Sequence, residues 1–447
     1  MAETRLTYGR IFTFWLPLAS TWLMMAVEGP YLAAIIARLA NPTENLAAFG
    51  VAFALAIIIE APVIMLMAAS TTLVDDDTSY RALRRFTLGL GVLLTVVQLV
   101  VVFPPVFNWV AMSLVGLPHD VARLAHHGLA IMLPWPLAIG YRRFLQGLLI
   151  RNNLTRRVAY GTAMRLVTMS VVAFLGAQIP GLSGVHVGTL ALSFGVVVEA
   201  VASRWMTREV VAKLAAGAPA PTRTPLTFGS ISSFYLPLAL TSVMVTGIQP
   251  AVTFFMGQAR YPLESLAVLP VIHGLTFIFR ALGLSFQEVG IAMFGHGWEN
   301  YQSIRNFGYG LAAVTATGLV VIAYTPLATV WFEQISGLTP ELAAFALAPT
   351  KILAWLPACS VWMAFQRATL VHARETRPIT WASLVELAVV VAVLAATIVS
   401  LSWTGAVAAA AAILAGRVVG NVWLILPARR ASRRGRLLVA TPLAATG

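Results

Sequence analysis

Apolar runs of roughly 20 residues or more, separated by short polar stretches, recur along nearly the whole chain. A run of that length is what an α-helix needs to cross about 30 Å of hydrocarbon. The pattern predicts twelve spans, near 11–37, 46–74, 86–111, 121–150, 158–178, 184–203, 228–257, 264–294, 306–332, 341–371, 379–401 and 405–427. Helices satisfy their own backbone groups in lipid, so the expected class is an all-α membrane protein. Several spans exceed the minimum length, which predicts tilt, proline kinks or extension past the bilayer.

The polar stretches between spans alternate in charge. Arg81, Arg84 and Arg85; Arg151, Arg156 and Arg157; Arg204, Arg208 and Lys213; Arg374 and Arg377; and Arg429, Arg430, Arg433, Arg434 and Arg436 all fall on one side. The opposite loops carry little beyond Arg38, Arg260 and a few acids. The excess of positive charge predicts a multi-pass protein of the cell inner (plasma) membrane with both termini in the cytoplasm. An even number of spans agrees.

Composition supports lipid as the main solvent. The 447 residues have a mean hydropathy of +0.83 and 11% charged side chains, too few for a water-facing surface. The net charge of +13 is spread over short loops instead of one soluble face, which excludes nucleic acid as a partner. Cys359 is the only cysteine and lies in an apolar segment, so one chain can build neither a disulfide nor a cysteine metal cluster. The stretch from Met1 to Arg10 leads into a span longer than the apolar core of a signal peptide, and is expected to be kept as the first helix.

The chain repeats itself. Phe14-Trp15-Leu16-Pro17-Leu18-Ala19 returns as Phe234-Tyr235-Leu236-Pro237-Leu238-Ala239, an offset of 220 (237 − 17). The same offset relates Thr21 to Thr241, Pro30 to Pro250, Pro42 to Pro262, Glu44 to Glu264 and, farther on, Gln146 to Gln366. The expected domains are therefore 1–215, a six-helix lobe with the start of the linker, and 216–447, a second six-helix lobe with a basic tail. The linker is the basic, proline-containing stretch Arg204 to Pro225. Six spans per lobe give both lobes the same orientation, related by an axis along the membrane normal. Repeated lobes of this kind hold substrate near the midplane at their interface and expose it alternately to either side, which makes transport the leading reading.

Charges inside spans cost about 2.5 to 3.5 kcal/mol at the centre on insertion scales, so each is a functional candidate. Glu28, Glu60, Arg280, Lys351 and Arg417 lie deep, and Arg142 and Arg143 lie nearer the basic side. Arg165, Glu199, Glu288 and Glu386 sit closer to span ends, where snorkelling is expected. Glu60 and Arg280 occupy equivalent positions of the repeat (280 − 60 = 220) with opposite charge, as a gating pair or as groups each satisfied within its own half. Glu28 precedes Pro30, which frees the Ala26 carbonyl and makes a proton or sodium site one reading of this helix. Arg280, Lys351, Arg142, Arg143 and His273 form the candidate substrate-binding set; it is basic and suits a small anionic molecule with carboxylate or phosphate groups. Arg142 and Arg143 point about 100° apart on a helix, so one faces the cavity while the other snorkels or pairs with an acid.

Other motifs are weaker. His126 and His127 have no partner cluster and read as interfacial polar groups, so neither a metal nor another cofactor is expected. Asp75-Asp76-Asp77 is the only support for an intramembrane enzyme, and Arg81, Arg84 and Arg85 supply an ordinary partner for it. No nucleotide-binding Gly-Lys loop and no His-Glu-x-x-His motif occurs, so no catalytic residues are assigned.

Two six-helix halves with a proline in the first helix of each resemble the multidrug and toxic compound extrusion (MATE) fold and its superfamily of exporters and flippases. Leu46-Ala47-Ala48-Phe49-Gly50-Val51-Ala52-Phe53-Ala54-Leu55, Pro270-Val271-Ile272-His273 and Gln287-Glu288-Val289 are similar to stretches of the progressive ankylosis transporters. This chain has Gln249 before Pro250 where that family has arginine. The resemblance implies export of polyanions such as citrate, nucleotides or pyrophosphate. The broader fold implies, as the alternative, a proton- or sodium-coupled antiporter of organic cations with Glu28 as coupling site. A lipid-linked flippase is a third reading.

Overall fold

The computed structural model describes residues 6–152, 154–217, 226–295, 298–373 and 375–440. Arg374 and the 218–225 part of the expected linker lie outside the described residues. Among the described residues, eleven helical stretches are long and apolar enough to cross a membrane. With the tandem pair α4 and α5 at the remaining place, they follow the order α1 Tyr8–Ile36, α2 Pro42–Leu73, α3 Asp77–Val102, α4 His119–Ile131, α5 Trp135–Arg151, α6 Thr155–Ala177, α7 Gly184–Met206, the short α8 Arg208–Ala216, then α9 Phe228–Gly257, α10 Pro262–Met293, α11 Tyr301–Tyr324, α12 Pro340–His372, α13 Arg377–Ser400 and α14 Gly405–Arg436. Helices α4 and α5 are joined by a turn at Met132–Pro134, where Pro134 and Pro136 withhold backbone donors. The pair fills the place of the fourth expected span, giving the twelve-helix architecture.

The sequence repeat is also a geometric repeat. Asn41 and Tyr261 both enter their helices in the left-handed region, with φ of 51° and 53°, each just before the proline that starts α2 or α10. Gly116 and Gly337 both take positive φ, 80° and 74°, after the widened helical turns Trp109–Leu114 and Val330–Ile335. Asn45 Oδ1 accepts the Val185 N–H at the start of α7 (2.9 Å), and Ser265 Oγ at the equivalent position accepts the Ala406 N–H at the start of α14 (3.1 Å). Each satisfies a helix-terminal amide that has no partner within its own helix.

Contacts divide the chain into two compact units, one of Met1–Ala34 with Ala259–Gly447 and the other of Ile35–Gln258. Helix α1 thus packs with the second sequence half and α9 with the first. In the first unit the Trp15 indole N–H donates to the Leu282 carbonyl (3.3 Å) and to Ser285 Oγ (2.9 Å). In the second, the Tyr235 hydroxyl donates to the Pro62 carbonyl in the tight turn that interrupts α2 after Glu60. An aromatic core of Trp15, Phe286, Phe294, Trp298, Tyr301 and Phe365 anchors the first unit.

Candidate functional site

In the unit Ile35–Gln258, the polar groups gather on α5. Trp135, Arg142 and Gln146 are spaced by seven and four residues and therefore share one helix face. Gly147 lets α5 approach α2 closely, since a Cβ there would lie 2.4 Å from the Met67 carbonyl oxygen. Trp135 donates its indole N–H to the buried Glu60 carboxylate. Arg142 pairs with Glu199 of α7, Gln146 donates to the other Glu199 oxygen (3.1 Å), and the Arg165 Nε of α6 lies 3.3 Å from the carboxylate. Glu199 is fully buried, so two cations and an amide replace its water.

The expectation that Arg165, Glu199 and Glu386 snorkel to span ends is corrected. Glu386 is buried too and pairs with Arg417 at 3.0 Å, whose Nη1 also points at Met363 Sδ (2.9 Å). Distance along a helix does not measure access to water when neighbouring helices cover it. Arg142 matches the member of the adjacent arginines expected to pair with an acid. Arg143, half-buried and one residue around the helix, has neither an ion pair nor a hydrogen bond among the described residues.

In the other unit, Arg280 on α10 donates from Nε to Ser360 Oγ on α12 at 3.3 Å and has no ion pair among the described residues. His273 lies two helical turns before it on the same face of α10. Pro30 of α1 sits beside this stretch: a Cβ on Gly274 would meet Pro30 Cγ at 2.6 Å. Lys351 instead lies over the Tyr324 ring, 5.5 Å from its centroid. The structure therefore gathers His273 and Arg280 on one helix face, places Arg142 and Arg143 in the other unit, and engages Lys351 with an aromatic ring. Glu60 and Arg280 each have their recorded partner within their own unit, Trp135 and Ser360.

Residues that sequence reasoning missed are Trp135 and Ser360. The Trp135–Arg142–Gln146 stripe was the available signal for the first; nothing in the sequence marks the second. Arg165 and Glu386 are also related by the repeat within one residue (386 − 165 = 221) and again carry opposite charge, the logic that singled out Glu60 and Arg280. The three aspartates have local roles: Asp76 caps α3 through Ser79, Asp77 pairs with Arg81 at 2.6 Å and Asp75 pairs with Arg151. His126 bonds the Val102 carbonyl at 2.7 Å. Outside the spans, a 2.9 Å bond from Arg157 holds the Glu209 carboxyl below the usual carboxylate range.

No family model and no curated protein matches this sequence. Solved structures do. An inward-facing multidrug resistance MATE family transporter of the MOP superfamily superposes with a TM-score of 0.72 over 94% of this chain and 96% of that one, at 13% identity. The fold is that of the MATE transporters. Lipid II flippase MurJ in an inward closed conformation follows at 0.71, with 12% identity over 95% and 91% of the two chains. A MOP superfamily transporter from Pyrococcus furiosus, described as having a binding pocket of reverse polarity, matches at 0.55 and 12% identity over 96% and 95%. At these identities the likeness is one of fold.

Proposed function

We propose that this chain is a secondary active transporter that works by alternating access of two six-helix lobes, 1–215 and 216–447, and exports organic or phosphorylated anions of the citrate, nucleotide or pyrophosphate type. It is read as a multi-pass inner-membrane protein with cytoplasmic termini and no enzymatic activity. The observation that supports the anion is Arg280: an intramembrane guanidinium held by a neutral hydroxyl, with no ion pair among the described residues, has donors left for an anionic ligand. Arg143 in the other unit likewise has no ion pair among the described residues, and its buried Nε has no hydrogen-bond partner among them. His273 adds a donor on the Arg280 face.

The second reading, an organic-cation antiporter coupled to protons or sodium, is favoured by Glu28 beside Pro30 in α1 and by the fold shared with a multidrug transporter. Liposomes containing the purified protein separate the two. Saturable citrate uptake that is lost in Arg280→Ala supports the anion; dye movement that requires a pH gradient and fails in Glu28→Gln replaces it with the cation. Movement of a labelled lipid between leaflets, with neither of these, favours a flippase.

A further inference from the structure

A second basic site lies apart from the candidate substrate-binding residues. Arg429, Arg433 and Arg436 recur every three to four residues and share one face of α14, close to the end of that span. They line a cavity of about 320 Å³ together with Arg305, which sits in the second turn of α11. No acidic residue lines this cavity among the described residues. Two side-chain atoms at it, Arg305 Nε and Gln366 Oε1, are buried without a hydrogen-bond partner among the described residues.

The walls are aromatic. The Tyr309 and Trp362 rings stack at 5.1 Å, Arg305 lies 5.9 Å from the Tyr309 centroid, and Arg436 lies 4.9 Å from that of Tyr301. The site thus has a cationic mouth where α11 begins and α12 and α14 end, and an aromatic wall behind it. Ends of spans lie at the depth of lipid headgroups, where tyrosine and tryptophan are favoured and where basic pockets between helices hold anionic headgroups. Four arginines uncompensated by a carboxylate would repel one another, and a phosphate with its several acceptor oxygens relieves that repulsion through charge-assisted bonds.

We propose that this cavity binds the phosphate headgroup of an anionic phospholipid, with the Tyr309–Trp362 wall against its glycerol and upper acyl region. Arg434, one helix face away and 3.6 Å from Glu375, is not part of the site.

The test uses the purified full chain in neutral detergent with cardiolipin, phosphatidylglycerol or phosphatidylcholine, read by native mass spectrometry and by the thermal midpoint. The expected result is retention of the anionic lipids with a raised midpoint, at least tenfold weaker in Arg305→Ala/Arg433→Ala and unchanged in Arg434→Ala. Should Arg305→Ala fail to fold, the exposed pair Arg429→Ala/Arg433→Ala carries the same test. Equal retention of phosphatidylcholine, or no loss in the arginine variants, overturns the proposal. Displacement of the lipid by millimolar inorganic phosphate, with the midpoint raised by phosphate alone, overturns the lipid in favour of a free phosphate compound.

Discussion

Trp15 donates its indole N–H to the carbonyl of Leu282 at 3.3 Å, and both positions have twins 220 residues away that make the same contact, Tyr235 with Pro62. The first helix of each sequence half is thereby tied to the second helix of the other half. The repeat describes how the sequence recurs; the contact units describe what packs. Trp15→Phe and Tyr235→Phe keep an aromatic ring in place and remove the donor. Each is expected to cost about 1 kcal/mol, with the carbonyl left to find another partner. Thermal unfolding in detergent measures it, and midpoints equal to wild type for both variants would show that ring packing alone holds these helices.

Glu199 pairs with Arg142 and Arg165 and accepts from the Gln146 amide. Removing one partner of a buried ion pair costs about 3–5 kcal/mol because the other charge stays buried and uncompensated. Glu199→Leu should therefore reduce folded yield severely, and Glu199→Leu/Arg142→Leu should recover part of it. If the double variant is no better than the single, the cluster does not act as a compensated unit.

The spans and the repeat were legible because lipid demands long apolar helices and because the offset persists through prolines and helix starts. The opposite charges at Glu60 and Arg280 were legible from the same offset. Their partners were not: which face of a helix meets which neighbour is fixed by packing, and Ser360 looks like any other small polar residue in an apolar span. Glu199 and Glu386 were misread because distance along a single helix was taken for exposure. The joining of α1 to the second half left no trace either, since apolar surfaces do not name their partners.

Tyr261 holds φ at 53°, a left-handed conformation that costs an ordinary side chain about 1–2 kcal/mol. Its repeat equivalent is Asn41, at 51°. Asparagine tolerates this region because its short polar side chain bonds locally. Tyr261→Asn is therefore expected to raise the thermal midpoint, less whatever is lost from the packing of Tyr261 on Phe345 and Arg260. The matched control Asn41→Tyr should lower it. A rise in both, or a fall in both, would show that side-chain packing and not backbone conformation decides at these two caps.

Arg142 and Arg143 are neighbours with opposite expected phenotypes. Arg142 is buried and paired, so Arg142→Ala leaves Glu199 with fewer donors and should first reduce stability. Arg143 has no recorded partner to lose among the described residues, so Arg143→Ala should leave the midpoint within about 0.5 kcal/mol of wild type. If Arg143 receives an anionic substrate, the same variant raises the KM for citrate uptake, because a charge-assisted bond contributes about 1.5–3 kcal/mol, roughly 10- to 150-fold in affinity. Lysine at this position keeps the charge but not the two-pronged geometry and should fall between. Uptake that is unaffected by Arg143→Ala and lost in Arg280→Ala would confine anion recognition to the unit containing α10, whereas loss in both would show that anion uptake needs both arginines.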